Sequence, residues 1–377
     1  MNRNTRHLLT LGVSALALNA LPAYATGPGI ADGTVTPGTT EVFDLTDLIG
    51  GPPADGHSGV TGTPAAVISG VPTGQVLIEG NVPSGNVNVS VTGDDVSIAA
   101  TATDVLAPTA TIAVDAIYVN ADSVGGNATA GLQGFDDLLI TATAAVTGSP
   151  VSSVATATIG SGAIQLDADG NTANANLTTD ADSTLEASAI ATAEGSADTL
   201  ATAYLYEGAG EYVYGVDSAS ANVANAGATT FLASASAGAS TTILADNSVA
   251  NASVDYGIYQ YATASDGTAD ASIDNAEGAS LDVIAEAGAN GSESAAAVSS
   301  IGLGFYNGVD AYGADAVATA SFSNAGDASI VSTANSTATN DDASANANID
   351  QGLTQDIYSD DVASADFSNS GGYIHSA

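Results

Sequence analysis

Val87, Val89 and Val91 alternate with Asn88, Ser90 and Thr92, and Ala233, Ala235 and Ala237 alternate with Ser234 and Ser236. A period of two sends successive side chains to opposite faces, so each run predicts a β-strand with one buried side. The alternation begins near residue 81 and recurs to the last residues. It is never replaced by a capped stretch of helical period, so the expected fold is all-β. Residues 26–80 differ. Pro-Gly, Gly-Gly-Pro-Pro and Ser-Gly punctuation leaves only short apolar runs such as Ala65 to Ile68, which predicts a loop-rich N-terminal segment. All ten prolines lie at or before Pro150. Residues 81–150 therefore read as an irregular β-strand region, and residues 151–377 as a Pro-free β-repeat region.

The strands are organised by internal repeats. An Ala-x-apolar-x-Asn-(Ala/Ser)-(Gly/Glu) motif starts at Ala221, Ala271, Ala320 and Ala365, at intervals of 50, 49 and 45 residues. It places Asn225, Asn275, Asn324 and Asn369 at equivalent positions. A degenerate copy starts at Ala175, and Asn176 to Ala189 aligns without gaps on Asn222 to Ala235; Ala116 to Asp122 is a weaker candidate copy. A second motif, apolar-x-x-Gly-apolar-x-(Gln/Asn), precedes the first. It reads Val254-x-x-Gly257-Ile258-x-Gln260, Ile301-x-x-Gly304-Phe305-x-Asn307 and Ile349-x-x-Gly352-Leu353-x-Gln355, with a looser relative from Leu205 to Glu211. Two linked motifs at a period of 20 to 50 residues indicate stacked supersecondary units.

Each unit holds about four alternating segments separated by Asn, Asp, Gly and Ser. Stacking identical positions lets Asn side chains bond along a ladder and aromatic rings overlie one another. The expected architecture is thus a β-solenoid (β-helix) with about 45–50-residue sequence repeats, each unit wound into about two coils of roughly 23 residues. A repetitive β-sandwich array is the alternative. The expected ladder comprises Asn225, Asn275, Asn324 and Asn369 with Gly257, Gly304 and Gly352. Tyrosines including Tyr204, Tyr206, Tyr212, Tyr256, Tyr259, Tyr261, Tyr306 and Tyr358 cluster near the second motif. They read either as core filling or as a binding stripe.

Composition narrows the function classes. The chain has 377 residues, 42 Asp and Glu, two Lys and Arg, no cysteine and a formal net charge of -40. Both cations, Arg3 and Arg6, open a leader in which Leu8 to Leu18 is largely apolar and Ala23-Tyr24-Ala25 fits small-x-small cleavage before Thr26. Residues 1–25 are read as a signal peptide of an exported protein, secreted or held at the cell surface. The apolar run is shorter than the roughly 20 residues a membrane-spanning helix needs, so no integral membrane span is expected. After Arg6 there is no ammonium or guanidinium with which to bind phosphates, so nucleic acid is excluded as a partner, as are Schiff-base and arginine-finger chemistry. Small side chains bury little area each, yet the mean hydropathy of +0.21 is too apolar for a disordered polyelectrolyte. Regular stacking is again favoured.

The pattern from residue 81 to 377 resembles the Ala/Thr/Asn-rich β-strand-repeat extracellular proteins of Gram-negative bacteria, a class that includes adhesins and autotransporter passenger regions. The resemblance implies an elongated extracellular scaffold. Unlike autotransporters, the sequence shows no evident C-terminal translocator barrel. It ends part-way through a repeat, at Ala377, which reads as a fragment boundary or as an edge to which strands add. The Gly-apolar-x-(Gln/Asn) element also resembles the ladders of curli-type functional amyloids, without the curlin spacing.

Catalysis has little to work with. Beyond the leader the histidines are His57 and His375, neither in the context of a nucleophile elbow. Asp94-Asp95, Asp136-Asp137, Asp341-Asp342 and Asp360-Asp361 suit solvated turns better than glycoside hydrolysis. No enzyme activity and no cofactor is expected. Asp167, Asp169 and Asn171 offer oxygens at alternate positions for a weak Ca2+ site, but Thr172 and Thr178 stand where an EF-hand needs Gly and Glu. Divalent cations are expected chiefly as screening partners. Thr101/Thr103, Thr109/Thr111, Thr141/Thr143 and Thr156/Thr158 resemble the Thr-x-Thr faces of ice-binding solenoids, with uneven spacing. The leading expectation is a structural or adhesive protein whose partners are cell-surface or extracellular-matrix components. A self-assembling fibre subunit, acting by self-association, is the alternative, and an ice-binding or calcium-binding solenoid a minor one.

Overall fold

The computed structural model describes residues 40–44, 76–82, 85–93, 95–103, 107–112, 115–149, 152–238 and 245–377. The leader, His57 and Asp94 lie outside them. The described residues form strands and turns, with no helix among them long and apolar enough to cross a membrane. In chain order the strands are β1 (Thr40–Asp44), β2 (Val76–Val82), β3 (Val87–Thr92), β4 (Asp95–Thr103), β5 (Thr109–Ile112), β6 (Ile117–Ser123) and β7 (Ala128–Leu132). There follow β8 (Asp137–Ser149), β9 (Ser153–Ile159), β10 (Ile164–Thr179), β11 (Thr184–Gly195), β12 (Thr199–Asn225), β13 (Ala228–Gly238) and β14 (Ala245–Ala264). The last are β15 (Thr268–Asn275), β16 (Ser280–Ala311), β17 (Val317–Asn324), β18 (Asp327–Ala338), β19 (Ala343–Ser359), β20 (Val362–Asn369) and β21 (Gly372–Ser376). Their ladders are parallel, as coil-on-coil stacking requires.

The fold is a β-solenoid, and its coil is twice as long as the sequence suggests. Asn225 pairs in register with Asn275, Asn275 with Asn324, and Asn324 with Asn369. One sequence repeat therefore makes one complete coil of four segments, not two coils of half that length. Alternation specifies strands and faces but not how many strands pass before the chain returns above its start. In the coil beginning at Thr199, β12 supplies the first three segments, bending near Gly208 and Val216, and β13 supplies the fourth.

Two further expectations are corrected. Ala116 to Asp122 is not a copy of the first motif, because it belongs to the second segment, beneath Ala163 to Asp169; the third-segment equivalent of Ala175 is Ala130. The gap-free alignment from Asn176 to Ala189 holds only through Thr179, which pairs with Asn225. Ala189 pairs with Ala233, since Thr179 and Thr184 are joined by a longer turn than Asn225 and Ala228. Parallel stacking runs through the strands on either side of the composition boundary, β8 pairing with both β4 and β11, with a register shift in the β8–β11 ladder between Val146 and Ser149.

Inward side chains form columns. The third segment stacks Val223, Ile273, Phe322 and Phe367, the second Ala209, Ile258, Phe305 and Leu353, and the fourth Phe231, Val283, Ile330 and His375. Bulk moves between columns. Phe231 accompanies Ala209 in one coil, whereas Phe305 and Phe322 face each other in another with ring centroids 5.5 Å apart. Burying one such large side chain is worth about 1.5–3 kcal/mol. The first and fourth segments meet through alanines such as Ala201, Ala203, Ala233 and Ala235, all buried. Between them the Ser299 and Ser332 hydroxyls bond at 2.5 Å across the core. Alanine thus keeps this part of the coil thin, which explains a composition poor in large apolar residues.

Candidate functional site

Three polar systems cross the coils, and each answers the same problem: buried polar groups in a chain with no Lys or Arg after Arg6 need neutral partners. The first is the asparagine ladder at the end of the third segment. Asn225 Nδ2 donates to Asn275 Oδ1 at 2.7 Å, Asn275 Nδ2 to Asn324 Oδ1 at 2.6 Å, and Asn324 Nδ2 to Asn369 Oδ1 at 2.8 Å. The same three amides also donate to the carbonyls of Ser280, Asp327 and Gly372, pinning the start of the fourth segment. Thr179, which the sequence motif misses, opens the ladder by donating to Asn225 Oδ1 at 2.5 Å.

The second system explains the other motif. Glu211, Gln260, Asn307 and Gln355 form an inward column on the second segment. The amides of Gln260, Asn307 and Gln355 reach across to the third-segment carbonyls of Ser272, Ser321 and Asp366. Gln260 Nε2 also donates to Glu211 Oε2 at 2.6 Å. Gly257 and Gly304 precede this column because a Cβ at either would strike the fourth-segment side chain opposite, Val283 or Ile330, and the carbonyl of the glycine one coil on. Gly352 is less crowded, its nearest would-be contacts being the His375 ring.

The third system lies on the outer face of the second segment. In register order its columns read Tyr118, Gln165, Gly210, Tyr259, Tyr306; then Asn120, Asp167, Tyr212, Tyr261, Gly308; then Asp122, Asp169, Tyr214, Thr263, Asp310. Glycines at Gly210 and Gly308 leave room for rings to lie over the sheet: a Cβ at Gly308 would stand 2.8 Å from both Tyr261 and Tyr306. The Tyr259 and Tyr306 rings stack with centroids 4.7 Å apart, and Tyr256 and Tyr212 abut Tyr259 edgewise or tilted at 5.4 and 5.5 Å. The tyrosines are thus an outer stripe, and the core is filled instead by Phe, Ile, Leu, Val and Ala.

Phenols bridge coils by donating to carboxylates. Tyr118 bonds Asp167 at 2.6 Å, Tyr204 bonds Asp255 at 2.5 Å and Tyr261 bonds Asp310 at 2.5 Å. Within one coil Tyr212 bonds Glu207 at 3.0 Å. Burial pushes Glu207 up to about 8, opposed by the Tyr212 bond and reinforced by the charges of Asp115 and Asp167. Glu211, fully inside, is pushed up to about 8 by burial against the bonds it receives from Gln260 and the backbone. Asp115, Asp167 and Asp255 are also raised, chiefly by burial. Glu207 carries no sequence signal as a buried acid, since Tyr256 and Leu303 stand at its register position in the following coils.

The residues read as a weak Ca2+ site lie along the second segment and at the corner that follows it. Asp167 and Asp169 point outward into a shallow depression of about 230 Å³ shared with Tyr118, Asn120, Asp122 and Tyr214. Asp167 is already engaged by Tyr118 and by Gln165 Nε2 at 3.0 Å. Asn171 is the residue at the irregularity between Gly170 and Thr172, at the corner toward the third segment, where its backbone N–H donates to the Gly126 carbonyl. Among the described residues no group of three or more His, Cys, Asp and Glu converges on a metal position. The Thr-x-Thr pairs divide between the fourth segment (Thr101, Thr103, Thr141, Thr143) and the first (Thr109, Thr111, Thr156, Thr158) and form no single array. Comparison with protein-family models, with curated proteins and with solved structures returns no match.

Proposed function

We propose that the chain is an exported structural and adhesive protein of the cell surface or extracellular matrix, acting through the length of its solenoid and the tyrosine-carboxylate face it displays. The reading rests on one observation: each repeat completes one coil, so equivalent positions of successive coils line up along one face, where Tyr212 and Tyr261, and Tyr259 and Tyr306, stand in register. Rings beside carboxylates, on a chain of net charge -40, suit neutral and cationic matrix polymers and disfavour anionic ones. Catalysis is no part of this proposal.

The test is adhesion of beads coated with residues 26–377 to neutral, cationic and anionic polysaccharide gels, with Tyr259→Ala/Tyr306→Ala beside the parent. Retention on neutral or cationic gels that falls in the variant supports the reading. Equal retention on all gels, or none on any, counts against it.

A further inference from the structure

Tyr259 and Tyr306 are register partners on consecutive coils, both only partly covered and both on the outer face. Their rings are nearly parallel, at 11° and 4.7 Å between centroids, the tightest tyrosine pair in the stripe. Holding two reactants in such proximity replaces a bimolecular encounter by an intramolecular one. The chain contains no cysteine, so no disulfide can join its coils. We infer that Tyr259 and Tyr306 are a site of oxidative dityrosine cross-linking, a covalent staple between adjacent coils.

The chemistry closes with a haem peroxidase turning over hydrogen peroxide as the external oxidant. Each phenol gives up one electron and its phenolic proton, leaving two ring radicals. These join through the carbons ortho to oxygen, forming one carbon-carbon bond. Each coupled carbon then returns its hydrogen to the neighbouring oxygen, restoring both phenols. The electrons and protons removed reduce the peroxide to water. Rotation about the side-chain bonds carries the stacked rings into the edge-joined product. Tyr256 and Tyr212, in contact with Tyr259, can relay the oxidised state toward the pair. Burial raises the Tyr259 phenol to about 12 and the Tyr306 phenol in the same direction. Both are therefore neutral at ordinary pH, and electron and proton leave together.

The experiment treats dilute residues 26–377 with haem peroxidase and hydrogen peroxide, then reads dityrosine fluorescence, molecular mass and cross-linked peptides. The expected product is monomeric, lighter by one hydrogen molecule per link, with the principal link joining Tyr259 to Tyr306. Tyr259→Phe and Tyr306→Phe, which keep the ring and its packing, should each lose most of the fluorescence. Tyr373→Phe should not. The inference is overturned if links form only between molecules, if the principal intrachain link involves other tyrosines, or if the two Phe variants fluoresce like the parent.

Discussion

Asn275 and Asn324 stand in register on adjacent coils, and the amide of the first donates to the carboxamide oxygen of the second at 2.6 Å while its other hydrogen binds the Asp327 carbonyl at 2.9 Å. One side chain therefore ties two coils together and fixes the corner between the third and fourth segments. Asn275→Ala with Asn324→Ala leaves buried acceptors unmade. The expected loss is about 1–3 kcal/mol per unsatisfied group. Urea denaturation checks this, and an unchanged midpoint would show that the ladder contributes nothing.

Stability should fall as pH rises. Glu207 and Glu211, 3% and 1% exposed, are raised from 4.5 to about 8. Between those limits the unfolded chain has released both protons while the native state keeps them. Each group then lowers stability by about 1.4 kcal/mol per pH unit. The protonated-state advantage is fully present below about pH 4.5 and gone above about pH 8. Glu211→Gln, matching Gln260 above it, should flatten the slope. Thermal unfolding from pH 4.5 to 8 in parent and variant measures the effect, and a parent more stable at pH 8 would contradict it.

The glycine column should be graded. At Gly304 a Cβ meets the Ile330 side chain and, 2.6 Å away, the Gly352 carbonyl, whereas at Gly352 the nearest atom is 3.3 Å away on His375. Gly304→Ala should cost about 1–3 kcal/mol by overpacking. Gly352→Ala should cost clearly less. Ile330→Ala should not rescue Gly304→Ala, because the backbone contact stays. Equal midpoints for the two glycine variants would refute the close approach.

Salt should stabilise the fold. With no Lys or Arg after Arg6, the carboxylates repel one another without compensation. Shortening the screening length from about 30 Å at about 0.01 M salt to about 8 Å at about 0.15 M relieves this. The melting temperature is expected to rise across that range, further with Ca2+ than with Na+ at equal ionic strength. A melting temperature independent of salt would mean the charges are already too far apart to matter.

The ladder was legible in the sequence because its asparagines sit inside a motif that repeats at the coil period, and because alternation marks inward Val87, Val89 and Val91 directly. What escaped depends on how the chain closes in space. Nothing local distinguishes four segments per coil from two. The turn between Thr179 and Thr184 hides a register slip that an ungapped alignment carries forward, and Ala116 to Asp122 resembles a motif whose segment it does not share. Glu207 was invisible because its burial is imposed by neighbours, Gly162 and Gly210 leaving the space its carboxylate occupies.

The central claim, one repeat for one coil, is tested most directly by engineered cysteine pairs in this cysteine-free chain. Ser272 and Ser321 are register partners on consecutive coils, at the spacing of about 4.8 Å between neighbouring strands that falls within disulfide range. Ser272→Cys with Ser321→Cys should oxidise readily to an intramolecular disulfide. Ser272→Cys with Ala296→Cys, a pair that coils of half the length would bring together, should not, since Ala296 lies on the first segment of the next coil. A disulfide in the second pair and none in the first would contradict the account.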